Sequence, residues 1–173
     1  MAIKVAQFLD VASGLQPKQF SVGSHDSISS LDQLDPIYKQ LLDSPIACVL
    51  GLVGGDGRVN QTVMWFDYEG DKVLINVAAQ RKKVDWIRAN GKASILLVNP
   101  QNAYHWVSIK ATVDREISED DPAEGATVTA QLDRVWTKYT GNEPPYGLRD
   151  PAINERRILF VCSVDKVATF GKP

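Results

Sequence analysis

Apolar residues in this chain fall into short blocks that alternate with, or run between, clusters of Gly, Pro and Asn. Ile46 to Val53 is one such block, and it ends at Gly54-Gly55-Asp56-Gly57. Glycine adopts positive φ without a Cβ clash, so this spacing predicts a hairpin turn. Val59 to Phe66 is the returning strand, Asp67-Tyr68-Glu69-Gly70-Asp71 a second turn, and Lys72 to Ala78 a third strand. Ala93 to Val98 and the long β-branched stretch Trp106 to Ile117 add two more, parted by the polar loop Asn99-Pro100-Gln101-Asn102. Arg157 to Val164 is the last, open to extension through Val167 to Phe170.

Three segments instead carry helical signals. Asp35-Pro36 supplies an N-cap carboxylate and a proline at the first helical position. Ile37, Leu41 and Leu42 then form one apolar face, and Pro45 stops the helix. A second short helix spans 81–90, with Val84 and Ile87 on one face and Asn90-Gly91 as its stop. Asp121-Pro122-Ala123-Glu124 opens a third, in which Val128, Leu132, Val135, Trp136 and Tyr139 recur at helical spacing before Gly141. Residues 142–155 hold three prolines and predict a loop, and residues 1–34 are Ser- and Asp-rich and predict an irregular N-terminal arm ahead of a domain over 35–173. Six strands joined mostly by hairpins predict a mostly β, α+β fold with an antiparallel sheet, and closure into a barrel would remove exposed edges.

Composition narrows the function. With 173 residues, 44% hydrophobic and 23% charged, the chain suits one domain with a real core. A net charge of −2 and a pI of about 5.7 argue against a nucleic-acid partner. No apolar stretch approaches the ~18 residues of a membrane span, and the N-terminus lacks a basic-then-apolar leader. The expectation is a cytoplasmic protein without a membrane partner. Cys48 and Cys162 sit inside apolar strand blocks with no C-x-x-C, which predicts buried reduced thiols and no metal site.

Hydrolytic chemistry finds little support. The only histidines are His25, in the arm and expected to be solvated, and His105, at a strand entrance and suited to a structural or ligand-lining role rather than general base. No G-x-S-x-G elbow, Walker loop or G-x-G-x-x-G occurs, and Asp120-Asp121 is explained as a helix cap. The run Arg81-Lys82-Lys83 is different. A helix start carries partial positive charge and free N–H groups, so cations are disfavoured there by roughly 0.3–1 kcal/mol each. Such a cluster suits a phosphate or carboxylate, the alternative being a solvated basic stripe. Trp65, Phe66, Tyr104 and Trp106 offer flat walls, or else ordinary core packing. A basic anchor beside flat walls fits a phosphorylated planar ring such as a flavin or pyridoxal phosphate.

Taken in order, these motifs resemble a known family. Gly57-Arg58-Val59-Asn60-Gln61-Thr62-Val63-Met64-Trp65-Phe66-Asp67-Tyr68 is similar to the second strand of the pyridoxamine 5′-phosphate oxidase-like superfamily. Leu74-Ile75-Asn76-Val77-Ala78 with Arg81-Lys82-Lys83-Val84-Asp85-Trp86-Ile87-Arg88 resembles its third strand and phosphate-binding helix start. Lys92 to Val98, Trp106 to Val113 and Tyr139-Thr140-Gly141 resemble later motifs, so the likeness covers roughly residues 36–170. It implies a six-stranded split β-barrel that forms a homodimer, with a flavin-type cofactor at the subunit interface. Within the superfamily the chain is most similar to the F420-dependent flavin/deazaflavin oxidoreductases.

The resemblance further implies that Arg81 and Lys83, within the cluster that includes Lys82, hold the phosphate of F420 or FMN. It assigns Asn60, Gln61, Thr62, Met64, Ile75, Asn76 and Val77 to the ring and ribityl chain, and Tyr104 and Trp106 to the opposite subunit's contribution. The substrate would be a small planar molecule taking part in hydride transfer. Val59 stands in place of a usual proline, Ala111 in place of a glycine, and Asp85-Trp86 in place of a basic-Asn pair. These departures spare the phosphate anchors but leave F420 against FMN open. Two other readings share the same pocket: a non-catalytic carrier of a cofactor or tetrapyrrole, and a structural or dimerisation protein.

Overall fold

The computed structural model of the chain describes residues 2–8 and 24–173. Nine strands build one sheet: β1 (Ile3–Phe8), β2 (Ser24–Ile28), β3 (Cys48–Val53), β4 (Val59–Met64), β5 (Tyr68–Glu69), β6 (Lys72–Ala78), β7 (Lys92–Asn99), β8 (Asn102–Ser118) and β9 (Arg157–Phe170). Among the described residues three α-helices accompany it: α1 (Pro36–Asp43), α2 (Lys82–Asn90) and α3 (Gly125–Thr140). The strand order is β2-β1-β9-β8-β7-β3-β4, with β6 and its partner β5 branching from β9.

The long strand β9 organises this branch. One of its edges pairs with β8 from Ile158 to Phe170. The other is shared, β6 taking Arg157–Ser163 and β1 taking Lys166–Phe170. Register shifts at Lys110/Ala111 and Val113/Arg115 of β8 bend the pair between these two halves.

The mostly β, α+β architecture is as expected, but six strands, all antiparallel and closed into a barrel, are not what the described residues form. The described sheet is mixed, because β1 runs parallel to β9, and it has nine strands. Among the described residues its path ends at β2 and β4 without closing. Part of the expected irregular arm is sheet as well: Ile3 and Val5 are buried in the main core. A parallel pair needs a long crossover, and here the partner strands stand at opposite ends of the chain, where no local turn signal links them. Residues 9–23 of the expected arm and the side chain of His25 lie outside the described residues.

The helix starts follow local chemistry. Asp35 accepts a hydrogen bond from Ile37 N at 3.1 Å, and Pro36 opens α1. Tyr38, Leu41 and Leu42 are its buried face. Asp121 accepts from the amides of Ala123 and Glu124 at 2.8 and 2.9 Å, but this caps a turn, and α3 begins only at Gly125. A Cβ on Gly125 would stand 2.3 Å from the Glu119 carbonyl oxygen, so only glycine lets the chain pass there.

Side-chain alternation along β6 divides the interior. Val73, Ile75 and Val77 enter the main core with α1, α2, β3, β7 and β8. Leu74 faces the other way, into a small cluster with Ile117, Val128 and Leu159 beneath α3. Two faces of one strand thus border two candidate sites.

Candidate functional site

Strand β6 delivers the chain to the first turn of α2. Arg81 is the N-cap, with extended backbone and no capping hydrogen bond from its side chain. Burial of Val84 and Ile87 fixes the rotation of the helix, and this holds Lys83, one residue earlier, at the rim of the core. Its Nζ donates to Thr62 Oγ1 at 3.0 Å. Thr62 lies opposite Leu50 in the β3–β4 ladder and therefore shares the core-side face of the sheet. Among the described residues no carboxylate lies within ion-pair distance of Lys83 or Arg81. Burial, and next the nearby Arg81 charge, depress the Lys83 ammonium below the usual lysine range. A half-buried cation pressed by a second cation, next to the free amides of a helix start, is a site that an anion would relieve.

Lys82 stands apart from this arrangement. It is exposed, and its Nζ lies 3.2 Å from Asp85 in a surface pair. Adjacent helical residues diverge by about 100°, so three consecutive cations do not converge on one point.

A second feature opens on the other face of β6. α3, β6, the end of β4 and the loop after α3 enclose a cleft of about 660 Å³, including the part open to solvent. Met64, Leu74, Leu132 and Val135 form apolar walls. Trp65 stacks on Tyr139 (5.1 Å between centroids, 13°), and Tyr146 stands edge-on to Trp65 and Trp136. Tyr139 is fixed because its hydroxyl donates to Ile46 O at 2.7 Å and accepts from Phe66 N at 2.8 Å, and burial pushes that phenol up to about 12.

Polar groups of the cleft form a chain. Arg157 donates to Asn76 Oδ1 at 2.8 Å, to Asn76 O at 3.3 Å and to Glu155 Oε1 at 2.8 Å. Its guanidinium lies 5.6 Å from the Tyr146 ring centre. Asn76 Nδ2 donates to Val128 O and to Gln131 Oε1, and Gln131 Nε2 passes on to Asp67 Oδ2 at 2.8 Å.

The remaining expected site residues distribute as follows. Met64 and Asn76 line the cleft. Asn60 sits at the β3–β4 hairpin and donates to Arg58 O at 3.3 Å. Ile75 and Val77 put their side chains into the main core, which leaves their backbone as what a ligand could meet. Gln61 is exposed on the outer face of the sheet, with Val59 and Val63. Tyr104 and Trp106 belong to that outer face as well. Tyr104 is 71% exposed, and Trp106, opposite Val98, stacks on Phe170 at 5.6 Å. Within one chain they are therefore not brought to Lys83.

His105 faces inward, fully buried, with Nδ1 3.1 Å from Asn99 Nδ2 and, among the described residues, no hydrogen-bond partner for Nε2. Cys48 and Cys162 are buried free thiols, each pushed up to about 12 by burial. Arg157 and Tyr146 line the cleft but belong to none of the motifs named above. Trp136, Tyr139 and Tyr146, all within ten residues on either side of Gly141, were the available signal. No helix among the described residues is long and apolar enough to cross a membrane.

Comparison with known proteins adds to this geometry. The family model described as pyridoxamine 5′-phosphate oxidase matches residues 34–169. No curated protein sequence matches. Of solved structures, an F420 reductase aligns with a TM-score of 0.59 at 23% identity, covering 78% of this chain and 98% of that one. A conserved hypothetical protein from Mycobacterium tuberculosis aligns at 0.55 and 18%, covering 76% and 81%. The haem storage protein of Vibrio cholerae aligns at 0.52 and 12%, covering 76% and 93%. At these identities the likeness is one of fold.

Proposed function

Because this chain belongs to the pyridoxamine 5′-phosphate oxidase family, we propose that it is an oxidoreductase that binds F420 or FMN and acts on a small planar substrate. The observation that carries the reading is Lys83: half-buried, without a carboxylate partner among the described residues and held on Thr62 Oγ1. Arg81 and the uncapped amides of α2 flank it and complete a cradle for a phosphate. The ring would lie along Thr62 and Met64, where among the described residues β4 pairs only with β3 and leaves one backbone edge for its polar atoms.

The bound ring supplies the hydride chemistry. Arg81 and Lys83 would anchor its phosphate, strand amides of β4 would donate to ring atoms that gain charge on reduction, and Met64 and Trp65 would exclude water.

The protein is further proposed to work as a homodimer. Val59, Val63 and Tyr104 are exposed on one sheet face, together with the Trp106–Phe170 stack. A second copy laid on that face would cover these side chains and bring Tyr104 and Trp106 to the partner's β4.

Fold likeness to a haem storage protein favours a second reading, a tetrapyrrole carrier. His105 offers no iron ligand for it, since the ring is buried against Tyr38. Titration of the apo-protein with FMN, F420 and haem separates the readings. Saturable binding of FMN or F420, with turnover by NADPH or reduced F420, supports the oxidoreductase, and haem binding alone rejects it.

A further inference from the structure

The cleft beneath α3 is unlike the Lys83 site in one respect: its charge is already neutralised. Of the described residues that line it, Arg157 alone carries a formal charge. That guanidinium is paired with Glu155, whose side chain is only 7% exposed, and hydrogen-bonded twice to Asn76. Asn76 is in turn held by Val128 O and Gln131, and Gln131 by Asp67. An entering carboxylate or phosphate would lose its water and find, among the lining residues, only a cation already paired with Glu155.

Neutral donors remain, the second N–H of Gln131 Nε2 among them. Among the described residues the Tyr146 hydroxyl and the Trp65 indole N–H have no protein partner, whereas the Trp136 N–H is bound to Glu143 O. Both suit the lone pairs of a carbonyl oxygen. The rest of the wall is aliphatic, and Leu148, 60% exposed, stands at the mouth with an apolar side chain that a guest would cover.

From this we infer that the cleft receives a neutral, flat conjugated ring bearing a carbonyl oxygen, and discriminates against anionic rings of the same size. The guest's role as the redox partner rests on the oxidoreductase reading; its binding does not. The ring fills the space between Trp65, Tyr146 and the aliphatic wall, and the carbonyl meets the phenol and indole donors.

Calorimetric titration with 2-acetylnaphthalene and with 2-naphthoate tests this, because the two differ chiefly in charge. The neutral ketone is expected to bind at least about tenfold more tightly than the carboxylate. Leu148→Asp, a change on an exposed loop, should weaken the ketone about tenfold. Tyr146→Phe keeps the ring and removes the donor, and should weaken it about two- to tenfold. The inference is overturned if the carboxylate binds as tightly as the ketone, if the ketone does not bind, or if Leu148→Asp leaves its affinity unchanged. FMN and F420 titrations on the same preparations separate the two claims. Cofactor binding without ketone binding sinks the cleft assignment alone, and selective ketone binding without either cofactor sinks the oxidoreductase reading alone.

Discussion

Arg157→Met probes the polar frame of the cleft. Arg157 joins β9 to β6 through Asn76 Oδ1 at 2.8 Å and Asn76 O at 3.3 Å, and it neutralises Glu155 at 2.8 Å. The Glu155 side chain is 7% and the Arg157 side chain 11% exposed, so both partners are largely removed from water. Removing the guanidinium strands a buried carboxylate, which costs about 3–5 kcal/mol where one partner of a buried pair is lost. For a domain of this size each kcal/mol lowers the melting temperature by about 2–4 °C, so Arg157→Met should melt roughly 6–20 °C lower. The double variant Arg157→Met/Glu155→Gln no longer carries the stranded charge. It should recover at least half of that loss, because a pair replaced together is often close to neutral. Chemical denaturation of the four proteins in the cycle measures the coupling. A cost below about 1 kcal/mol for Arg157→Met, or additive costs in the double variant, would refute the claim that this charge is internally paired.

Three further outcomes are expected. Lys83→Met should leave the apo-protein as stable as wild type, or more stable by up to about 1 kcal/mol, since it removes a half-buried cation without a carboxylate partner; a melting temperature several degrees lower would show that Lys83 is structural. Burial depresses the His105 imidazolium below the usual histidine range and outweighs the Ile37 backbone, which favours the charged form; Asn99 and Tyr38 pack against the ring. The stability it contributes is therefore complete above the unfolded-state value of about 6.5 and falls as pH drops through the lower folded-state value. Urea midpoints from pH 7.5 to 5 should decline less in His105→Gln, and equal declines would remove His105 as the cause. Val63 is 71% exposed, so Val63→Asp should change the stability of one chain by no more than about 0.5 kcal/mol, yet halve the mass in sedimentation; an unchanged mass contradicts the proposed interface.

What the chain reveals before folding is what its neighbours in sequence decide. The β3–β4 hairpin was legible because Gly57 must take φ +78° at a turn between two apolar blocks. α1 was legible because Asp35 and Pro36 are cap and first residue, and α2 because Gly91 takes the left-handed conformation at its end. β1 was not, since its only cue is a short Ile-Lys-Val-Ala alternation in a polar setting and its parallel partner lies at the far end of the chain. The site divides along the same line. Lys83 Nζ donates to Thr62 Oγ1, a contact between two motifs 21 residues apart. Lys82 diverges because helical rotation separates neighbours, and Ile75 and Val77 turn inward because strand alternation sends only Leu74 and Asn76 toward α3. Arg157 and Tyr146 were hidden because the cleft is assembled from β4, β6, α3 and β9, and no local pattern registers such a convergence.

The proposed function turns on Arg81 and Lys83 gripping a phosphate. Affinities of wild type and Lys83→Ala for FMN and for riboflavin, which lacks the phosphate, form the most direct test. One charge-assisted hydrogen bond is worth about 1.5–3 kcal/mol, so Lys83→Ala should weaken FMN by roughly 10- to 150-fold. Riboflavin should bind both proteins alike, and the preference for FMN over riboflavin should shrink in the variant by the same factor. An FMN-to-riboflavin ratio that survives the substitution unchanged would contradict the account.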